Sequence, residues 1–296
     1  DQRAAFNSPV WFNVGLHRKY GFTGKPRNFA WDFEQQSPLP CEDNQARPQV
    51  AACFILGVED NLESIMEHVG REARVFENGS GAGSNYSRIR AAGEPIRGGG
   101  TASGLIPWLK IYDIAAGAIK SGGKTRRAAK MTVVDADHPD VYAVIEWKPR
   151  QEKIANVLIA AGMESDFEGE VYGEVLHGQN ENISIRVTDE FMQAVEQDGD
   201  WDLIWRTSGK VARRVKAREL FDLINESSHR CADPGMQFDT TINDWHTCPN
   251  SGRINASNPC SEYMFIDDTA CNLASLSLTR YLVKDGMVRS FDVDGF

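Results

Sequence analysis

The 296-residue sequence has six cysteines (Cys41, Cys53, Cys231, Cys248, Cys260 and Cys271) but no CxxC pair and none of the close spacings of a zinc ribbon or secreted disulfide scaffold. It lacks any apolar run of the ~18 residues needed to span a membrane, and no signal peptide opens it. Basic side chains are in deficit. Against 42 acidic residues stand 32 basic ones, a formal net charge of −10, which argues against a protein that coats nucleic acid. Small phosphorylated ligands stay open, because they need only a local basic pocket. These absences lead us to expect a cytoplasmic protein with reduced thiols, no membrane partner and no nucleic-acid partner. The 41% hydrophobic and 25% charged content is ordinary for a globular domain. A chain of this size can bury roughly 75% of its unfolded surface and needs no staples. It opens at Asp1-Gln2-Arg3 without methionine, so a piece of a longer chain is expected.

Turn and period signals give the layout. Residues 1–50 read as irregular, with aromatics scattered among Pro and Gly. Val50 to Leu56 reads as a buried strand. Asp60-Asn61-Leu62-Glu63 resembles a capping box with Asp60 as N-cap, ahead of apolar residues at helical spacing. Asn78 to Ser84 and Gly98 to Gly100 read as glycine-rich loops. Ser103 is expected to cap a helix that ends at Gly122-Gly123. Further strands are expected at Met131–Asp135, Ile183–Val187 and Tyr263–Ile266. Further helices are expected after Pro139, after Thr188 and from Arg218 to His229. Strands alternating with helices predict an α/β protein with much parallel sheet. No repeat or linker marks a domain boundary.

Two phosphate motifs fail on inspection. Gly117 to Thr125 resembles a Walker A loop, but Ala118 stands where the first glycine belongs and a helix precedes it. Gly79, Gly81 and Gly83 also miss the dinucleotide fingerprint. Such glycines turn the chain or let backbone approach a ligand closely. Basic residues nevertheless cluster: Lys120, Lys124, Arg126, Arg127 and Lys130, with Arg88, Arg90 and Arg97 beside the glycine loops. They suit either surface ion pairs or a site for phosphate groups.

The stretch Asn258-Pro259-Cys260-Ser261-Glu262 places an amide, a thiol and a carboxylate at alternate positions, which one face of an extended segment would share. It does not stand alone. Phe6 to Asn13, Ala51 to Leu56, Gly81 to Arg90, Pro95 to Gly99, Asn182 to Phe191 and Asn258 to Leu276 match, in order, segments of one family. The sequence resembles the ribonucleotide reductases, most closely the adenosylcobalamin-dependent class.

That resemblance implies part of a ten-stranded α/β barrel with a central finger loop. Residues 1–50 would be an N-terminal segment and residues 51–296 the first part of the barrel, with no ATP cone and the C-terminal part missing. It implies radical reduction of ribonucleotides, with diphosphates as the expected substrates. Cys260 would carry the cysteinyl radical, Asn258 would bind the ribose, Glu262 would act as general base, and Cys53 with Cys271 would be the redox pair. The substrate pocket would be lined by Ser8, Ala52, Cys53, Gly81, Asn258, Pro259, Cys260, Ser261 and Glu262. The family often has serine where Ala52 stands. Asp60, Asn61, Leu62, Arg90 and Arg97 would bind a deoxynucleotide effector, and Ser121 to Lys130 would relay its identity. Implied partners are the ribonucleotide substrate, an external thiol reductant such as thioredoxin, and a second copy in a homodimer. Adenosylcobalamin is the implied cofactor, although no residue that contacts it can be read. His246 and Cys248 invite a metal reading, but two ligands without two more point to a structural role, so no metal site is expected. The alternatives are a di-iron reductase subunit and a nucleotide-sensing fragment without turnover.

Overall fold

The computed structural model describes residues 3–119, 128–286 and 288–296. The chain divides into two compact units: Cys53–Thr269, and the two ends, Asp1–Ala52 with Ala270–Phe296. The grouping of residues 270–296 with the N-terminal stretch carries no sequence signal, because that unit is discontinuous along the chain.

The N-terminal stretch is more ordered than its composition suggests. It holds β1 (Ala4–Phe6), α1 (Ser8–Asn13), α2 (Leu16–Tyr20) and an antiparallel hairpin of β2 (Phe29–Asp32) with β3 (Ser37–Pro40). Asn7 caps α1, its side chain accepting from the Val10 amide at 3.2 Å, and Pro9 sits in the first turn, where its missing N–H is harmless.

In the larger unit strands and helices alternate. The order is β4 (Cys53–Ile55), α3 (Leu62–Glu77), β5 (Gly81–Asn85), α4 (Leu105–Ala118), β6 (Lys130–Asp135), α5 (Val141–Ile145), α6 (Trp147–Ala160), β7 (Asn182–Val187) and α7 (Asp189–Glu196). A hairpin of β8 (Asp200–Ile204) and β9 (Val211–Lys216) follows, then α8 (Ala217–Cys231), β10 (Gly235–Phe238), α9 (Asp239–Asp244) and the pair β11 (Ile254–Ser257) and β12 (Met264–Ile266). Five strands run parallel in the spatial order β10-β7-β6-β5-β4, the expected α/β arrangement. The chain closes with β13 (Thr269–Cys271), β14 (Ala274–Leu276), which pairs with β1, and a hairpin of β15 (Leu282–Asp285) with β16 (Val288–Phe291).

Parallel strands need both faces covered. On one face Ala82 packs with Val75 and Phe76 of α3, and Ile65, Leu109, Tyr112 and Val134 share the main core. On the other, Ile55, Met131 and Val133 meet Ala256 of β11. The glycine-rich run expected to be a loop is therefore largely a buried central strand. Glycine is needed there for close approach. Gly98 to Gly100 is a turn, with all three residues at positive φ.

Two caps differ from expectation. Asn61, not Asp60, caps α3, accepting from the Ser64 amide at 2.8 Å. Asp60 has been recruited by Arg90 instead, whose Nε donates to it at 2.6 Å. The start of α4 has Gly104 at the cap position, and its Leu105 amide donates to Asp140 at 2.8 Å, so a carboxylate distant in sequence replaces Ser103. Thr188 caps α7 as expected, accepting from the Phe191 amide at 3.3 Å.

Candidate active site

The β11–β12 hairpin lies across the face of the sheet opposite α3 and α4. Asn85 donates to the Asn255 carbonyl at 2.9 Å. Farther along, Gly83 faces the Ser257 carbonyl and Gly81 faces Pro259. The hairpin thus runs antiparallel to β5 and carries its tip, residues 258–263, to the amino end of the parallel strands. A methyl group at Gly83 would stand 1.8 Å from the Ser257 oxygen, and one at Gly81 would stand 2.6 Å from the Pro259 ring. The close approach anticipated for these glycines is made by the chain's own loop.

The tip is a turn, not the extended segment that the alternation of Asn258, Cys260 and Glu262 suggested. The Ser261 amide donates to the Asn258 carbonyl at 3.1 Å, and Ser261 takes φ +61°. The Asn258 amide donates to the Tyr263 carbonyl at 2.9 Å, and the Tyr263 amide donates to Asn258 Oδ1 at 3.0 Å. Asn258 is fully buried, while Cys260 and Glu262 are exposed. The turn thus buries the first of the three side chains and leaves the other two exposed. Asn258 Nδ2 points to Sγ of Cys53, the first residue of β4, at 3.5 Å.

Both neighbours of Cys260 are tied to the sheet. Asn182, which opens β7, donates from Nδ2 to the Pro259 carbonyl at 2.9 Å. Gln237 of β10 donates to Ser257 Oγ at 2.8 Å and to Ser261 Oγ at 3.1 Å. Reading the sequence did not single out Gln237. The available signal was a lone amide in a short strand that had to be buried.

Asn258 to Glu262, Gly81 and Cys53 are thus gathered at one end of the strands. Ser8, Ala52 and Cys271 belong to the other unit. There Ser8 opens α1, and the Ala52 amide donates to the Cys271 carbonyl at 2.8 Å. Asp60, Asn61, Leu62 and Arg90 form a separate group at the start of α3, beyond the opposite ends of β4 and β5. Arg97 is exposed in the neighbouring turn.

Lys130 takes no part in a phosphate site. It is buried, donating to Glu72 at 3.0 Å and to Tyr86 OH at 2.5 Å. Burial would raise the Glu72 carboxyl, but Lys130 and His68 hold it well below its usual range. Glu181, 3.9 Å from Lys130, is pushed up to about 7, because burial, aided by Asp113, outweighs the lysine. Arg88 pairs with Glu59, and Lys120, Lys124, Arg126, Arg127 and most of the Ser121 to Lys130 segment lie outside the described residues. His246 is structural. Its Nδ1 accepts from the Cys248 amide at 3.2 Å and its Nε2 lies 3.0 Å from the Gly252 carbonyl. Among the described residues, no group of three or more His, Cys, Asp or Glu side chains is placed to hold a metal ion. Nor is any described helix long and apolar enough to cross a membrane.

A cysteine at the tip of a loop laid across a parallel α/β sheet is the arrangement the sequence resemblance implied. Comparison with known proteins agrees: residues 51–296 match the ribonucleotide reductase barrel domain. The chain belongs to the ribonucleotide reductase family. A vitamin B12-dependent ribonucleotide reductase of Rhodopirellula baltica is 48% identical over 297 residues, covering 100% of this chain and 28% of that protein. One from Streptomyces avermitilis is 47% identical over 293 residues, covering 99% of this chain and 27% of its own length. A vitamin B12-dependent ribonucleoside-diphosphate reductase of Mycobacterium tuberculosis is 37% identical over 258 residues, 87% of this chain and 34% of that protein. The chain therefore spans about a third or less of the curated relatives it matches. As a ribonucleotide reductase barrel segment it places Cys260 on the loop and Cys53 on the strand beneath.

Proposed function

We propose that the full-length protein reduces ribonucleotides, with ribonucleoside diphosphates as substrates, to 2′-deoxyribonucleotides by radical chemistry centred on Cys260. The supporting observation is the exposed Cys260 on an anchored turn, with buried Asn258 tied both to that turn and to Cys53. In this reading a Cys260 thiyl radical takes the 3′ hydrogen atom of the ribose and Glu262 takes the 3′-hydroxyl proton. The 2′-hydroxyl leaves as water with a proton from one thiol of the Cys53–Cys271 pair, and C2′ takes a hydrogen atom from the other. As the pair closes to a disulfide its second electron, with the proton held by Glu262, reduces the 3′ ketone, and Cys260 then returns a hydrogen atom to C3′ and is a thiyl radical again. An external dithiol such as thioredoxin then restores the pair. The pairing of Cys53 with Cys271 rests on the family resemblance, because the two residues belong to different units.

Ser8, Ala52, Gly81, Pro259 and Ser261 complete the proposed substrate lining. Asp60, Asn61, Leu62, Arg90 and Arg97 are assigned to a deoxynucleotide effector, in a homodimeric, cytoplasmic protein. Adenosylcobalamin is the proposed cofactor, as the names of the relatives suggest. The exposure of Cys260 fits it, since a thiol that must lose a hydrogen atom to a bound group has to be reachable. When bound, the cofactor supplies the one-electron chemistry that starts the cycle.

An anaerobic assay of the full-length protein tests the reading. Deoxynucleotide formation that requires adenosylcobalamin is expected. Turnover only with a metal-bearing partner subunit would move the protein to the di-iron class, and nucleotide binding without turnover would leave it a sensor.

A further inference from the structure

We propose that Gln237 is a positioning residue for Cys260, acting through the left-handed turn at Ser261. The inference rests on the reading of Cys260 as the reactive thiol. Ser261, immediately after that cysteine, holds φ +61°, a conformation disfavoured for any residue with a Cβ. Something has to hold it there. Its hydroxyl lies 3.1 Å from Gln237 Nε2 and 3.2 Å from Ser257 Oγ. Gln237 is 2% exposed and spends its amide nitrogen on the two loop hydroxyls, reaching Ser257 Oγ at 2.8 Å. Ser257 Oγ in turn donates to the Asn258 carbonyl at 2.9 Å, tying the near side of the turn into the same network.

The orientation of the glutamine is itself determined. Arg186 Nη1 donates to Gln237 Oε1 at 3.3 Å, which turns the Nε2 end toward the loop. Arg186 is fixed by Asp239 at 2.5 Å and by the Ile254 carbonyl at 2.7 Å, at the base of the same hairpin. On the other flank Asn182 holds the Pro259 carbonyl, and the Ser257 carbonyl already fills the gap left by Gly83. Both neighbours of Cys260 are thus held from adjacent strands, β7 and β10, while the cysteine itself stays exposed. The β10–β7 ladder is made by backbone and does not need the Gln237 side chain. What that side chain adds is the direction in which the Cys260 Cα–Cβ bond points.

The test uses the full-length protein and Gln237→Met, which keeps length and packing but removes both donors. Misplacing a reacting group by as little as 1 Å can cost about 100-fold, so kcat should fall by about tenfold or more while KM moves by less than about twofold. On kcat, the double variant Gln237→Met with Ser261→Ala should lose clearly less than the sum of the singles, because both belong to one Gln237–Ser257–Ser261 network. Without cofactor or substrate, the iodoacetamide alkylation rate of Cys260, read by peptide mapping, should change by about threefold or more, with that of Cys248 unchanged. Ser261→Gly should shift Cys260 alkylation in the same direction, since it removes the clamped hydroxyl and frees the backbone of the turn to other conformations. If Gln237→Met fails to fold, the two Ser261 variants carry the test. Unchanged Cys260 alkylation, or additive losses in the double variant, would overturn the proposal. A parent protein without turnover would instead sink the functional reading, and the alkylation rates would still decide the clamp.

Discussion

The two faces of the parallel sheet are made by alternating residues of the same strands, yet they hold their covers by different means. On the α3–α4 face, Ser84 and Lys130 meet His68, Glu72, Tyr86 and Glu181 in a buried network containing full charges. On the other face, Gly81 and Gly83 let backbone meet backbone, and neutral side chains, Asn182 and Gln237, hold the hairpin near its tip. Broken charge pairs in a low-dielectric interior are costly, so the first face suits a permanent seam. The amide and hydroxyl bonds that hold the two neighbours of Cys260 are contacts between neutral groups. The contrast teaches that this sheet separates holding the fold from placing the thiol.

The largest expected effect falls on the hairpin face. Cys260→Ser should leave folding and nucleotide binding intact and abolish deoxynucleotide formation, because a hydroxyl nearly matches the thiol in size but its O–H bond is too strong for the relay. Retained turnover would remove Cys260 from the mechanism.

The largest stability effect falls on the opposite face. Lys130→Met strands Glu72 and Glu181 without their cation, at a cost of about 3–5 kcal/mol. Urea unfolding measures it, and alkylation of Cys260 in the folded fraction should not change. If Cys260 reactivity shifts with Lys130, the two faces are coupled and the contrast fails.

Gly83→Ala makes the complementary change. Its methyl would strike the Ser257 carbonyl, so we expect a loss of about 1–3 kcal/mol together with altered Cys260 alkylation. A stable Gly83→Ala protein with parental Cys260 reactivity would show that the hairpin is not seated by close approach.

A pH effect is expected on the charged face. Glu181 is pushed above its ordinary 4.5 to about 7, so between those values the folded state holds a proton that the unfolded state has released. Stability from this group is full below about pH 4.5 and falls as pH rises toward about 7. Glu181→Gln should therefore lose less stability than the parent between pH 5 and 7, as read by urea midpoints at each pH. Parallel profiles would mean that Glu181 is ionised throughout.

The smallest change concerns α3. Asn61→Ala should cost about 1 kcal/mol of stability, the usual worth of an N-cap, whereas the sequence pattern had assigned that duty to Asp60. Equal stability of the Asn61 variant and the parent would return the cap to Asp60.

The sequence alone determined the element types: helices at 3.6-residue period, strands as short apolar runs, and with them an α/β fold. It also marked Asn258 to Glu262 as the place to look, since those residues matched a family in order with five other segments. These properties are local or carried by residue identity. What only the tertiary structure decided depends on partners far apart in sequence. Asp60 pairs with Arg90 rather than capping α3, and Asp140 caps α4 across 35 positions. Gly81 and Gly83, which look like a loop, form a buried strand because the hairpin needs the space their missing side chains leave. Asn258 is buried while Cys260 and Glu262 are exposed, because the chain closes a turn at Ser261 instead of running on as a strand. Gln237 was unremarkable in sequence, and Lys130 was read there as one of a basic cluster, since a buried polar side chain acquires its role only from the partners that folding brings to it.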